Sequence, residues 1–177
     1  MRYHTFILSI ILASYIVLPS PAQAFDLTLP PTPTSVYFSP RGGAQDALIH
    51  RIDQAQRSIY VLAYSFTSRP IVEALAKAAL RGVHVEAILD RSQRTAKGGQ
   101  GQALVDAGAT VYVDARHAIA HNKVMVIDGR TLVTGSFNFT AGAEERNAEN
   151  LLILDSPELA RLYGEEWEKH RGHAEGW

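Results

Sequence analysis

His121 and Lys123 stand two residues apart in a β-rich stretch, so on a strand both side chains emerge on one face, with Asn122 on the other. That pairing suits a phosphodiester. The ammonium would pair with a non-bridging oxygen while the imidazole attacks phosphorus. Alone, His-x-Lys also fits two solvated polar residues on a surface strand. Its setting adds weight: Gly135-Ser136-Phe137-Asn138-Phe139-Thr140 follows the next strand and returns the chain to the start of the first. From there the Ser136 hydroxyl and the Asn138 amide could reach the same phosphate oxygens. The plainer reading of that stretch is a capping loop in which Thr140 starts a helix.

Other charged residues divide into turn, loop and isolated positions. Asp128 alternates away from His121 and Lys123 and occupies an Asp-Gly turn, which marks it as structural: it shapes the hairpin and pairs with a basic neighbour. Arg91, Arg94 and Lys97 lie in a basic, glycine-rich segment after a strand, where they would either track a nucleic-acid backbone or be solvated. His117 and His121 would meet as a metal pair only on a helix, and no third ligand at sensible spacing accompanies them, so no metal is expected. His170 and His173 read as part of a polar tail, and Phe66 as a packed aromatic.

The elements that must position these residues alternate between strand and helix. A short strand at Ser35 to Phe38 precedes a helix with Ala44, Leu48, Ile52 and Ala55 on one face. Ser58 to Tyr64 is a near-continuous apolar strand of the kind buried on both faces. A helix opening at Ser68-Arg69-Pro70 and a strand at Val83 to Leu89 complete a parallel crossover unit. Arg91 to Gly101 reads as a loop, Gln102 to Ala107 as a short helix and Thr110 to Val113 as a strand. Asn122 to Ile127 and Thr131 to Thr134 form a hairpin through Asp128-Gly129-Arg130. Glu149 to Leu154 is a last strand, and Asp155-Ser156-Pro157-Glu158 opens a final helix with a cap, a Pro and an acid in favoured places. These elements predict an α/β domain: a mixed, mostly parallel sheet with helices on both faces.

Composition bounds the setting. Residues 1–24 read as a cleavable signal peptide, with Arg2, an apolar run from Phe6 to Leu18 and small residues at Ala22-Gln23-Ala24. Export to a periplasm or exterior is therefore expected, with no stable membrane association after cleavage. Residues 25–34, rich in Pro and Thr, read as an extended arm, and 35–177 as one catalytic domain. The 177-residue chain has no cysteine, which excludes disulfides and thiolate metal sites. Without Arg2 it carries 16 basic and 18 acidic residues. That balance does not suit a protein that coats DNA, so polyanion binding must come from a local patch.

The spacing His121-x-Lys123-x4-Asp128-x6-Gly135-Ser136-x-Asn138 resembles, without a gap, the signature of the phospholipase D superfamily. Tyr37-Phe38-Ser39-Pro40, Ala63-Tyr64-Ser65-Phe66-Thr67 and Asn147-x-Glu149-Asn150 are similar to its small, single-motif secreted bacterial endonucleases. The resemblance implies that His121 forms a phosphohistidine which water then opens. It implies that Lys123, Asn138 and Ser136 hold the phosphate, that Gly135 belongs to the structural motif, and that Glu149 pairs with the far nitrogen of His121. Such a pairing would fix the tautomer, as the acid does in a hydrolase triad. The expectation is a cofactor-free phosphodiesterase cutting DNA, and RNA as well, with a phospholipase D acting on lipid headgroups as the alternative. A polyanion-binding protein without activity is the alternative of another class; complete retention of the motif speaks against it. The reaction needs a nucleophile and a general acid at once, and one imidazole cannot be both. A homodimer with the active site at its interface would supply the second histidine; a monomer would have to recruit His117 or Glu149.

Overall fold

The computed structural model describes residues 24–177, so the expected signal peptide, apart from Ala24, lies outside the described residues. Residues 24–30 carry no helix or strand, and the compact unit is Pro31–Trp177. Its strands are β1 (Thr34–Ser39), β2 (Ser58–Ala63), β3 (His84–Asp90), β4 (Thr110–Asp114), β5 (Lys123–Ile127), β6 (Thr131–Gly135), β7 (Glu149–Asp155) and β8 (Glu175–Gly176). Its helices are α1 (Ala44–Gln54), α2 (Arg69–Leu80), α3 (Gly101–Asp106), α4 (Ala141–Glu145) and α5 (Pro157–Arg171). Among the described residues no helix is long and apolar enough to cross a membrane.

One eight-stranded sheet runs in the order β1-β7-β6-β5-β2-β3-β4-β8. It is mixed, as expected, but mostly antiparallel. Only β2–β3 and β3–β4 pair in parallel, while five pairings are antiparallel. The reason is connection length. Helical crossovers serve β2 to β4, whereas the turn between β5 and β6 can join only antiparallel neighbours. β5 then enters beside β2 in the reverse direction and carries β6, β7 and β1 with it.

Side-chain alternation sends two cores to the two faces. Ile59, Val61, Met125, Ile127, Val133, Leu151 and Ile153 pack on one face with Leu48 and Ile52 of α1 and Ile71 and Leu75 of α2. Leu62, Val124, Val126 and Leu132 pack on the other with Ala160 and Trp167 of α5. The buried Trp167 Nε1 donates to the Val61 carbonyl at 3.0 Å, fixing α5 across the sheet. Ser156 caps α5, its hydroxyl accepting from Leu159 N, and Pro157 occupies its first turn. The last residues are not a loose tail: β8 pairs with β4, and Trp177 N donates to the Val111 carbonyl.

Asp128 sets the joint between the hairpin and the rest of the sheet. Asp128 and Gly129 both take positive φ, 55° and 64°, as a type I′ turn requires. The Asp128 carboxylate accepts from the backbone N–H groups of Gln56, Arg57 and Ser58, and its carbonyl accepts from Arg57 Nη2. It therefore fixes where β2 starts relative to the end of β5. Burial tends to raise its pKa, but the three N–H donors and the Arg57 charge outweigh that and leave it lowered. A carboxylate with a lowered folded pKa adds stability above its unfolded pKa and loses it as pH falls through the folded value. Asp128→Ala should thus destabilise the protein by about 1–3 kcal/mol at neutral pH. In urea titrations its deficit against wild type should shrink as pH drops below about 4; a deficit independent of pH would contradict the role given to its charge.

Candidate active site

The sheet edge formed by the end of β2, the start of β5, the end of β6 and the start of β7 gathers the signature residues other than Asp128. β5 begins at Lys123, so His121 sits just ahead of the strand rather than within it, although Tyr64 N still donates to the Asn122 carbonyl at 2.9 Å. Lys123 is 7% exposed, and its Nζ donates to the His121 carbonyl at 2.7 Å. The Tyr64 ring lies 4.7 Å from the His121 ring, centroid to centroid, and Lys123 Nζ lies 5.2 Å from the same Tyr64 centroid. Histidine and lysine are thus brought together around one aromatic ring. The imidazole is exposed and the ammonium is sheltered. Tyr64 lies within the Ala63–Thr67 stretch, which by itself assigns it no role. Its signal was a half-polar aromatic ending an otherwise apolar strand.

A second histidine-side support comes from β3. Asp90, 3% exposed, accepts from Ala120 N at 2.8 Å and from Ser92 N at 2.9 Å. It anchors the residue immediately before His121. Nothing in the local sequence pattern marks that role, because the partner lies 30 residues away.

The segment after β6 is held equally firmly. Phe137 and Phe139 are fully buried and clasp Asn138 between them, and the ring of Phe139 meets Phe66 edge-on at 6.4 Å. Phe66 is fully buried, a packing residue as expected. Gly135 adopts φ 150°, and a Cβ there would stand 2.2 Å from the Asn150 carbonyl oxygen, so only glycine allows β6 to approach β7 this closely. The Ser136 hydroxyl accepts from Asn150 N at 3.0 Å, which leaves its own proton free to donate. Thr140 caps α4, its hydroxyl accepting from Ala143 N, so the capping-loop reading also holds at that position. The Asn138 Oδ1 is buried and has no hydrogen-bond partner among the described residues. Buried polar atoms are nearly always paired, which sets this one apart.

Glu149 opens β7 opposite Ser39, and its Oε1 accepts from Asn147 Nδ2 at 3.1 Å. Ser39 Oγ donates to the Asn147 carbonyl, so the Ser39-Pro40 segment supports the Glu149 strand start. The chain makes no hydrogen bond between Glu149 and His121 among the described residues; the carboxylate instead acts on Lys123. Burial lowers the Lys123 pKa, and the Glu149 charge partly restores it. Two of the three loop cations are also committed elsewhere. Arg91 Nη2 donates to the Ala118 carbonyl, and Arg94 Nη2 donates to the Gly176 carbonyl with Glu175 3.8 Å away. They lie in a 3₁₀ turn, Arg91–Arg94, inside the expected loop, and Lys97 beyond it is exposed. Asp128 lies at the far end of β5, about 16 Å along the strand from Lys123.

A titration checks the electrostatic coupling directly. Removing the charge with Glu149→Gln should move the Lys123 midpoint further down, followed by NMR at its Cε. An unchanged or raised midpoint would show that Glu149 does not hold the ammonium charged.

A family model described as "Cardiolipin synthase, PLD-like domain" matches residues 48–171. A Rickettsia felis protein named Phospholipase D is 43% identical over 133 residues, 75% of this chain and 66% of its own length. The chain therefore spans just under two thirds of that relative. The Xenopus tropicalis protein named Mitochondrial cardiolipin hydrolase is 34% identical over 116 residues, 66% of this chain and 55% of its own. Among solved structures, Nuc from Salmonella typhimurium, a phospholipase D family member, superposes with a TM-score of 0.79 at 34% identity. That match covers 82% of this chain and 98% of Nuc. With a family match across most of its length and a shared sheet that brings the His-x-Lys and Gly-Ser-x-Asn segments to one edge, the chain belongs to the phospholipase D superfamily.

Proposed function

We propose that the protein is a metal-independent phosphodiesterase that cuts within DNA, and RNA as well, through a phosphohistidine at His121. The observation that carries this reading is the sheltered Lys123 ammonium beside an exposed His121 imidazole. A cation in a partly dehydrated site stabilises charge on non-bridging oxygens better than one in water. Asn138 and Ser136 add donors on the adjoining segment. In the first step a His121 ring nitrogen bonds to phosphorus, and the P–O bond to the leaving alcohol breaks. The leaving oxygen takes a proton from a general acid. In the second step water attacks the phosphohistidine, gives its proton to the same group and frees His121. Glu149 serves this cycle by keeping Lys123 charged.

The relatives named for lipid chemistry favour a second reading, hydrolysis of a lipid phosphodiester by the same residues. Nucleic acid is preferred because His121 is exposed at an open sheet edge, where a long polyanion can reach it. The leader-like N-terminus supports a periplasmic or secreted protein. Plasmid DNA, RNA and phosphatidylcholine vesicles offered separately to the purified protein decide between the readings. In excess EDTA, well below the melting temperature, DNA should be nicked and the vesicles left intact, and His121→Ala should lose activity by at least about a thousandfold. Loss of DNA cleavage restored by added Mg²⁺ would overturn the mechanism, and turnover of the lipid alone would overturn the substrate.

The general acid is supplied, in this reading, by His121 of a second subunit across a two-fold axis. Exposed apolar side chains accompany the site: Phe38 faces Asn150 in register on the edge strand, and Ile119 precedes His121 by two residues. Wild-type and His121→Ala chains refolded together in equal amounts should retain roughly a quarter of the wild-type activity if the site is shared, against about half if sites are independent. A value near half would reject the shared site.

A further inference from the structure

Asp114 ends β4 fully buried, and three histidines converge on one of its oxygens. His117 Nδ1 and His170 Nδ1 each lie 2.7 Å from Asp114 Oδ2, and His173 Nε2 lies 3.3 Å from it. All four donor atoms fall within 4.8 Å of one another. The residues come from three separate places: the end of β4, the segment that leads to His121, and the end of α5 with the turn after it. In the sequence His170 and His173 look like part of a polar tail, and His117 pairs by spacing with His121. The fold brings His117 to a different set.

We propose that Asp114, His117, His170 and His173 form a structural site for Zn²⁺, tying the C-terminal helix to the segment that carries His121. Three imidazoles and a carboxylate are a zinc donor set, and four protein ligands close a tetrahedral site, leaving no open position for chemistry. Zinc–nitrogen bonds of about 2.0–2.1 Å place tetrahedral donors about 3.3 Å apart; His173 Nε2 already stands at that separation from Asp114 Oδ2, and the two 2.7 Å pairs would open by about half an ångström around an ion. The outer contacts also fit. The other carboxylate oxygen, Oδ1, accepts from Arg116 N and His117 N, which turns Oδ2 toward the rings. The Glu166 carboxylate stands 3.8 Å from His170 Nε2, beside the nitrogen that Nδ1 ligation would leave free to donate. Without a cation, three ring nitrogens must all donate to one oxygen, one more than its two lone pairs accommodate well.

Such an ion would act through stability and positioning. His117 begins the short run to Ala120, whose N–H Asp90 already holds, and His121 follows. Zinc would fix that run at a second point and hold α5 and β8 over the edge of β4.

The protein, stripped with chelator and dialysed, is titrated with ZnCl₂ while metal content and melting temperature are followed. About one zinc per chain should bind, with micromolar or tighter affinity, and raise the melting temperature. Co²⁺ should give the strong visible absorption of a tetrahedral site. His173→Asn and His117→Ala, the latter removing a ligand whose side chain is half exposed, should each weaken zinc binding roughly tenfold or more. His84→Ala, an exposed histidine on β3, should not. Binding no tighter in wild type than in either ligand variant, or an unchanged melting temperature, would overturn the site and leave a hydrogen-bonded Asp–His cluster. Both readouts are independent of turnover, so their outcome and that of the phosphodiesterase assays can differ.

Discussion

A nearly buried ammonium governs the arrangement of this protein. Lys123 opens β5 at the centre of the sheet, where β2 and β6 flank it and leave it little water. A lysine in that position is costly unless its charge is met. It is met three ways: by the His121 carbonyl, by the face of Tyr64 and by the charge of Glu149. Each partner comes from a different strand end, so the register of β2, β5 and β7 must be right together for the cation to survive. The same register that satisfies Lys123 puts His121 beside it, and Gly135 and Ser136 against Asn150.

The rest of the fold serves that edge from a distance. Apolar residues on both sides of β2 and β5 lock the central pair between α1 and α2 on one face and α5 on the other. At the far end, Asp128 ties the hairpin turn to the start of β2 and so transmits register along β5. The two ends of this strand therefore carry different loads. Damage at Asp128 is felt as a looser sheet, damage at Lys123 as a lost cation.

Much of this was legible in the sequence because it depends on local pattern. Helix faces repeat every three to four residues, and the Asp-Gly turn names its own geometry. Non-local pairing was not legible. Nothing in β5 says that it joins β2 in reverse, so the share of antiparallel pairs was underestimated. β8 is two residues long and exists only because β4 offers an edge. Arg94 looked like a free loop cation until the chain terminus folded back to occupy it. His170 and His173 are more than fifty residues from Asp114, and no spacing rule links a strand end to a helix end.

The central claim is that His121 is the attacking group and Lys123 the cation that stabilises the charge. Rapid acid-free quenching of a reaction on oligonucleotide labelled at its internal phosphates, followed by peptide mapping in alkali, tests it at the atom. The account predicts a covalent phosphoryl adduct on His121, stable in alkali and labile in acid, present in wild type and absent in His121→Ala. An adduct on another residue, or full turnover by His121→Ala, would contradict it.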